Sequence, residues 1–160
     1  EIAFRPIEEA DTDLLARLYA STRWEELAAV DWTDEQKTAF LRFQFDAQSD
    51  HYRKHYPNAS FDVVLVDGEP AGRLYVDEWE REIRLVDVAL FPEHRGRGIG
   101  TRLLRGLMER AERAGKALSI HVEGFNPALR LYERLGFARV GEHGPYLLME
   151  WRPQTARPPA

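Results

Sequence analysis

The run Arg95-Gly96-Arg97-Gly98-Ile99-Gly100-Thr101 sets three glycines at alternate positions beside two arginines and a threonine. Residues of these types in this pattern suit the binding of a phosphate. Glycines without side chains let backbone N–H groups approach it, and a helix that starts there favours its negative charge. Arg95, Arg97 and Arg102 add possible charge-assisted contacts. Two nucleotide loops are excluded by spacing. A Walker A loop needs a lysine before its Ser/Thr, and Thr101 follows Gly100 directly. A dinucleotide fingerprint starting at Gly96 and Gly98 needs a glycine where Thr101 stands.

A second constellation runs from Asn126 to Phe137, as Asn-Pro-Ala-Leu-Arg-Leu-Tyr-Glu-Arg-Leu-Gly-Phe. Asn126 is expected to cap a helix, with Pro127 in its first turn and Gly136 ending it. Ala128, Leu131, Tyr132 and Leu135 then share one face. On spacing alone Tyr132 reads as a core residue with a hydrogen-bonded hydroxyl.

Together these two runs resemble the signatures of the GNAT superfamily of acyl-CoA-dependent N-acetyltransferases. The pyrophosphate-loop pattern Arg/Gln-x-x-Gly-x-Gly/Ala is met by Arg95, Gly98 and Gly100. The pattern Asn-x-x-Ala-x-x-x-Tyr-x-x-x-Gly-Phe is similar to the run from Asn126, with the alanine one place closer to the asparagine. The motifs span about Ile83 to Phe137. The resemblance implies an α/β fold: a single GNAT-like domain with a central mixed, mostly antiparallel sheet flanked by helices. It also implies acetyl transfer from acetyl-CoA to a primary amine, on a small molecule or a protein, in a ternary complex. The alternative is an acyl-CoA-binding regulatory module without turnover.

What the resemblance implies for single residues follows from the chemistry. A Lys-like ammonium, with a pKa of about 10.4, must lose a proton; an oxyanion must be stabilised; and a thiolate must depart. Gly96, Arg97, Gly98, Gly100 and Thr101, with Arg95, are expected to hold the pyrophosphate, and Asn126 to meet the pantetheine arm. Backbone groups of Val88 and Leu90 would pair with pantetheine amides as an added strand does, and a backbone N–H near Leu90 would serve the oxyanion. Tyr132 is expected to protonate the thiolate. Glu123 and Asp87 are the two carboxylates expected to take the amine's proton. Each also has a structural reading, Asp87 as a buried hydrogen-bond anchor and Glu123 as a salt-bridge partner.

These residues need elements to position them. Ile2 to Arg5 alternates as a strand, and Asp11 or Thr12 opens a helix carrying Leu14, Leu15, Leu18 and Tyr19. Thr33-Asp34-Glu35-Gln36 has capping-box form and opens a longer helix closed by Pro57. Phe61 to Val66 and Ala71 to Val76 flank the turn Asp67-Gly68, and Ile83 to Phe91 continues as a third strand. Ile99, Leu103, Leu104, Leu107, Met108 and Ala111 mark a helix stopped by Gly115. The strand Ala117 to Val122 and the Asn126 helix follow, and Tyr146 to Trp151 is a last strand. Trp24, Trp32, Phe40, Phe43, Tyr52 and Tyr56 read as core sooner than as a pocket. Gly72→Ala is expected to leave acetyl-CoA binding intact.

With 160 residues and 44% hydrophobic content, the chain suits one core: residues 1–152 as the domain and 153–160 as a Pro-rich, disordered tail. A net charge of −5 speaks against a general nucleic-acid binder. There is no cysteine, so disulfides, thiolate nucleophiles and cysteine metal sites are excluded. No metal site is expected, since His51 and His55 lack the intervening glutamate of a metalloprotease helix, and no serine sits in a hydrolase elbow. No stretch reads as a membrane span or signal peptide, so a cytoplasmic protein off the membrane is expected, and a homodimer is compatible with it.

Overall fold

The computed structural model describes residues 1–154. Among these residues seven strands and four α-helices follow one another in the order β1 (Ile2–Pro6), α1 (Thr12–Arg23), α2 (Asp34–His55), β2 (Ser60–Val66), β3 (Glu69–Glu78), β4 (Glu82–Leu90), α3 (Ile99–Ala114), β5 (Ala117–Glu123), α4 (Leu129–Arg134), β6 (Ala138–His143) and β7 (Tyr146–Trp151). The sheet order is β1-β2-β3-β4-β5-β7-β6, with β4 and β5 parallel and β1–β2, β5–β7 and β6–β7 antiparallel. Internal contacts divide the described residues into two compact units, Glu1–Tyr75 with Asp87–Arg95, and Val76–Val86 with the chain from Gly96 onward.

In the first unit, local chemistry sets the elements. Thr33 accepts a hydrogen bond from Gln36 N–H at 3.1 Å while the Gln36 side chain accepts from Thr33 N–H at 2.9 Å, the capping box that starts α2. Asp67 and Gly68 both take positive φ, 51° and 83°, the two-residue turn whose twist matches a hairpin. Leu15, Leu18 and Tyr19 of α1 meet Leu41 and Phe45 of α2, and Ala89 and Phe91 pack against that cluster. Gly72 is fixed by packing. A Cβ there would stand 2.1 Å from the Ala89 carbonyl oxygen, so glycine is what lets β3 and β4 come this close.

The aromatics of this unit correct the core reading given above. Phe43 is 72% exposed and Trp32 41% exposed, stacked edge-on against Phe40 at 5.2 Å, so α2 carries an aromatic outer face.

In the second unit, α3 turns Leu103, Leu104, Leu107 and Ala111 inward and packs on β5. Gly115 ends it in the left-handed conformation, its N–H returning to Ala111 and Glu112 carbonyls. Glu78 accepts from Arg110 and Lys116, at 2.6 and 2.8 Å, tying the end of β3 to the last turns of α3 and the link that follows.

Several boundaries differ from expectation, β3 running two residues further at each end, over Glu69–Glu78. β4 stops at Leu90, because Phe91 leads into a 3-10 turn over Pro92–His94. β6, an exposed edge strand, precedes β7; its burial hardly alternates, so periodicity did not mark its bounds. The Asn126 helix begins only at Leu129. Pro153, the first residue of the expected tail, is fully buried, and residues 155–160 of that tail lie outside the described residues.

Candidate active site

Four of the expected site residues belong to the first unit, on β4 and its exit. Asp87, Val88 and Leu90 are half-buried along the strand. The Asp87 carboxylate is occupied. One oxygen accepts from the Tyr52 hydroxyl at 3.0 Å and from the Arg73 guanidinium, which also donates to Gln48 at 2.7 Å. Arg73 is buried, lies over the Tyr75 ring at 4.9 Å, and leaves its Nε without a partner. Burial, and then the charge of Asp87, push the Tyr52 hydroxyl's pKa well above its usual value, so it stays a donor at every ordinary pH. The anchor reading of Asp87 thus has a geometry.

Sequence reasoning missed Arg73. The available signal was a lone arginine among the apolar residues of β3.

Arg95 folds back, its Nε donating to the Leu90 carbonyl at 2.9 Å and its other end to Ser21 Oγ at 3.3 Å. In this arrangement it fixes the end of β4 to α1.

The remaining residues belong to the second unit. Gly96 and Gly98 take φ of 72° and 79°, and Gly98 is the N-cap of α3. No side chain caps that helix and no acid stands in its first turn. Its first internal bond is Arg102 N–H to Gly98 C=O at 3.0 Å, so the N–H groups of Ile99, Gly100 and Thr101 have no intrahelical acceptor. A Cβ on Gly96, Gly98 or Gly100 would meet no protein atom within 4 Å. Space has been left over a helix N-terminus, which is what a pyrophosphate requires.

Glu123, Asn126 and Tyr132 follow one another around a single connection. Glu123 ends β5 opposite Tyr146. Its carbonyl accepts from Asn126 N–H at 2.9 Å, and Asn126 Oδ1 accepts from Ala128 N–H at 2.9 Å. Asn126 therefore closes a turn before the helix, and the Asn–Ala offset in the motif falls in that turn. Tyr132 is 4% exposed, its ring 5.7 Å from that of Phe137.

The profile of the Acetyltransferase (GNAT) family matches residues 21–137, most of the chain. The chain belongs to the GNAT family. The matched span holds β4, the glycine loop, α3 and the Asn126–Phe137 run of this GNAT chain. It is 37% identical over 86 residues to the streptothricin acetyltransferase of Streptomyces lavendulae, a match covering 51% of this chain and 46% of that protein. It is 36% identical over 88 residues to the N-alpha-acetyltransferase RimI of Mycobacterium tuberculosis, covering 54% of each. The GNAT chain thus spans about half the length of the curated relatives it matches. Among solved structures it resembles the PaiA N-acetyltransferase of Thermoplasma acidophilum in complex with coenzyme A, with a TM-score of 0.69 at 18% identity over 95% of this chain and 99% of that one. An acetyltransferase of Thermus thermophilus gives 0.66 at 22% identity, over 94% and 96%.

Proposed function

We propose that this GNAT chain, with residues 1–152 acting as one acyltransferase, moves an acetyl group from acetyl-CoA to a primary amine. The observation that carries this reading is the uncapped N-terminus of α3 behind Gly96 and Gly98, with open space above Gly100. The residues present fit the cosubstrate. Gly96 to Thr101 would take the pyrophosphate on backbone N–H groups, with Arg97 as exposed counter-charge. Val88 and Leu90 would offer β4 backbone to the pantetheine amides. Asn126 spends its Oδ1 on the Ala128 N–H, which leaves its side-chain NH2 to meet the same arm.

Acetyl-CoA supplies an activated thioester; the chain supplies position and protons. Tyr132, buried and donor-capable, is the proposed acid for the departing thiolate. Glu123, half-buried at the end of β5, is the proposed acceptor of the amine's proton. Asp87, expected above as a second base, is assigned here to positioning, because Arg73 and Tyr52 already hold its carboxylate. The acceptor is a small-molecule or protein amine, and the proposed compartment is the cytoplasm; no helix among the described residues is long and apolar enough to cross a membrane.

The test is release of free coenzyme A from acetyl-CoA in the presence of an amine library. The chain has no cysteine, so a thiol-reactive dye reads only the product. Amine-dependent release supports the reading. Tight acetyl-CoA binding without release for any amine would replace it with a binding module.

A further inference from the structure

Within the first unit, α1, α2 and the strands β2 and β3 line a half-open cavity of about 540 Å³. That size lies inside the range of small-molecule sites, roughly 300–1,000 Å³. Its walls are aromatic: Phe45, Tyr52, Phe61 and Tyr75 all line it. The rings are locked against one another, Phe61 on Tyr75 at 4.9 Å and Tyr52 on Tyr75 at 5.9 Å, both edge-to-face. A preformed aromatic wall of this kind does not need a ligand to order it.

The rim is acidic. Glu8, Glu9, Asp46 and Asp50 line the cavity against a single guanidinium, Arg53. Two of these charges are bound only at the surface: Arg53 meets Asp50 at 3.5 Å, both well exposed, and Asp46 is held by Arg42 from outside the cavity at 3.2 Å. Four carboxylates over aromatic rings select against anions and favour a cation with an apolar body, since ring faces attract cations as well. A bare metal ion fits poorly, for no group of three metal-ligating side chains occurs among the described residues.

We propose that this cavity is a binding site for an organic ammonium ion carrying a flat or alkyl apolar body. The charged nitrogen sits at the Glu9–Asp50 rim and the body lies against Phe61 and Tyr75. Tyr52 connects the site to the transfer strand, since it lines the cavity and its hydroxyl donates to Asp87 on β4. The proposal does not depend on acetyl transfer, because occupancy can be read with no acetyl-CoA present.

Calorimetry on the whole chain tests it with 2-phenylethylamine and its neutral isostere 2-phenylethanol. The amine is expected to bind at least tenfold more tightly than the alcohol. The exposed triple change Glu9→Gln, Asp46→Asn and Asp50→Asn is expected to weaken the amine at least tenfold with little change in melting temperature. Ser49→Trp, which places an indole in the cavity, is expected to abolish binding. Added acetyl-CoA separates the two sources of such a ligand: mass spectrometry finding the amine acetylated makes the cavity an acceptor seat, and an amine left intact makes it an effector seat. Equal binding of amine and alcohol, no amine binding to the unaltered chain, or full amine affinity in the triple variant would overturn the proposal.

Discussion

Tyr132 separates packing from chemistry more cleanly than any other residue of the proposed site. Tyr132→Phe keeps the ring against Phe137, so the stability loss should be no more than one hydrogen bond, about 0.5–1.5 kcal/mol. As the acid for the thiolate, its removal should lower kcat by roughly 10²–10⁴-fold with acetyl-CoA affinity unchanged. Calorimetry and coenzyme A release on the same preparation check both, and unchanged kcat would return Tyr132 to the core. Asp87 gives the opposite pattern. Asp87→Asn leaves the Arg73 guanidinium, 3% exposed, without its counter-charge, and breaking one side of a buried pair costs about 3–5 kcal/mol. Urea unfolding should show that loss, whereas Glu123→Gln should lower turnover mainly on the acid limb of the pH profile with acetyl-CoA affinity nearly constant.

The element that matters most is α3 with the loop before it. Gly100 is helical, has no positive φ, and would present a Cβ to empty space, and valine is no worse a helix former than glycine, so Gly100→Val should cost little stability. The same methyls stand over the first-turn N–H groups, so acetyl-CoA affinity should fall sharply while melting is nearly preserved. Isothermal titration beside a thermal melt reads the two together; unchanged affinity would remove the loop from the site. Gly72→Ala is not the harmless comparison the sequence suggested. Its Cβ would overlap the Ala89 carbonyl at 2.1 Å, and the variant should lose upward of about 2 kcal/mol, or fail to fold. What distinguishes the two glycines is the neighbouring backbone, and only the pairing of β3 with β4 supplies it.

At the scale of the whole molecule, each unit carries a carboxylate whose pKa the fold lowers. Asp11 has its pKa lowered by hydrogen bonds from Arg5, at 2.8 and 2.9 Å, in the first unit. Glu78 is lowered by Lys116 and then Arg110 in the second. A folded pKa below the unfolded value means stability that is fully present above the unfolded values, about 3.9 for Asp and 4.3 for Glu, and lost as pH falls through the folded ones. The stability that these two carboxylates contribute should therefore be held from pH 7 to about pH 5 and lost below about pH 4. Asp11→Asn should lower melting by about 4–8 °C at pH 7, and the difference from the parent should close in strong acid. A pH series of thermal melts on both proteins checks the sign, and a constant difference at every pH would be inconsistent with it.

Much of this was legible without coordinates because it is local. The capping box at Thr33, the positive-φ turn at Asp67-Gly68, the Gly115 stop and the glycine run before α3 are each decided within a few residues, where backbone sterics and unpaired N–H groups act. The two signatures of the GNAT family lie in such segments, so their resemblance to that family's patterns pointed to the fold. Tertiary structure decided what depends on residues far apart in the chain: Arg73 against Asp87, Gly72 under Ala89, Phe43 outside and Pro153 inside, and the cavity beneath α1 and α2. Burial and charge pairing are properties of neighbours in space, and contacts between residues far apart in the chain leave no period in the sequence.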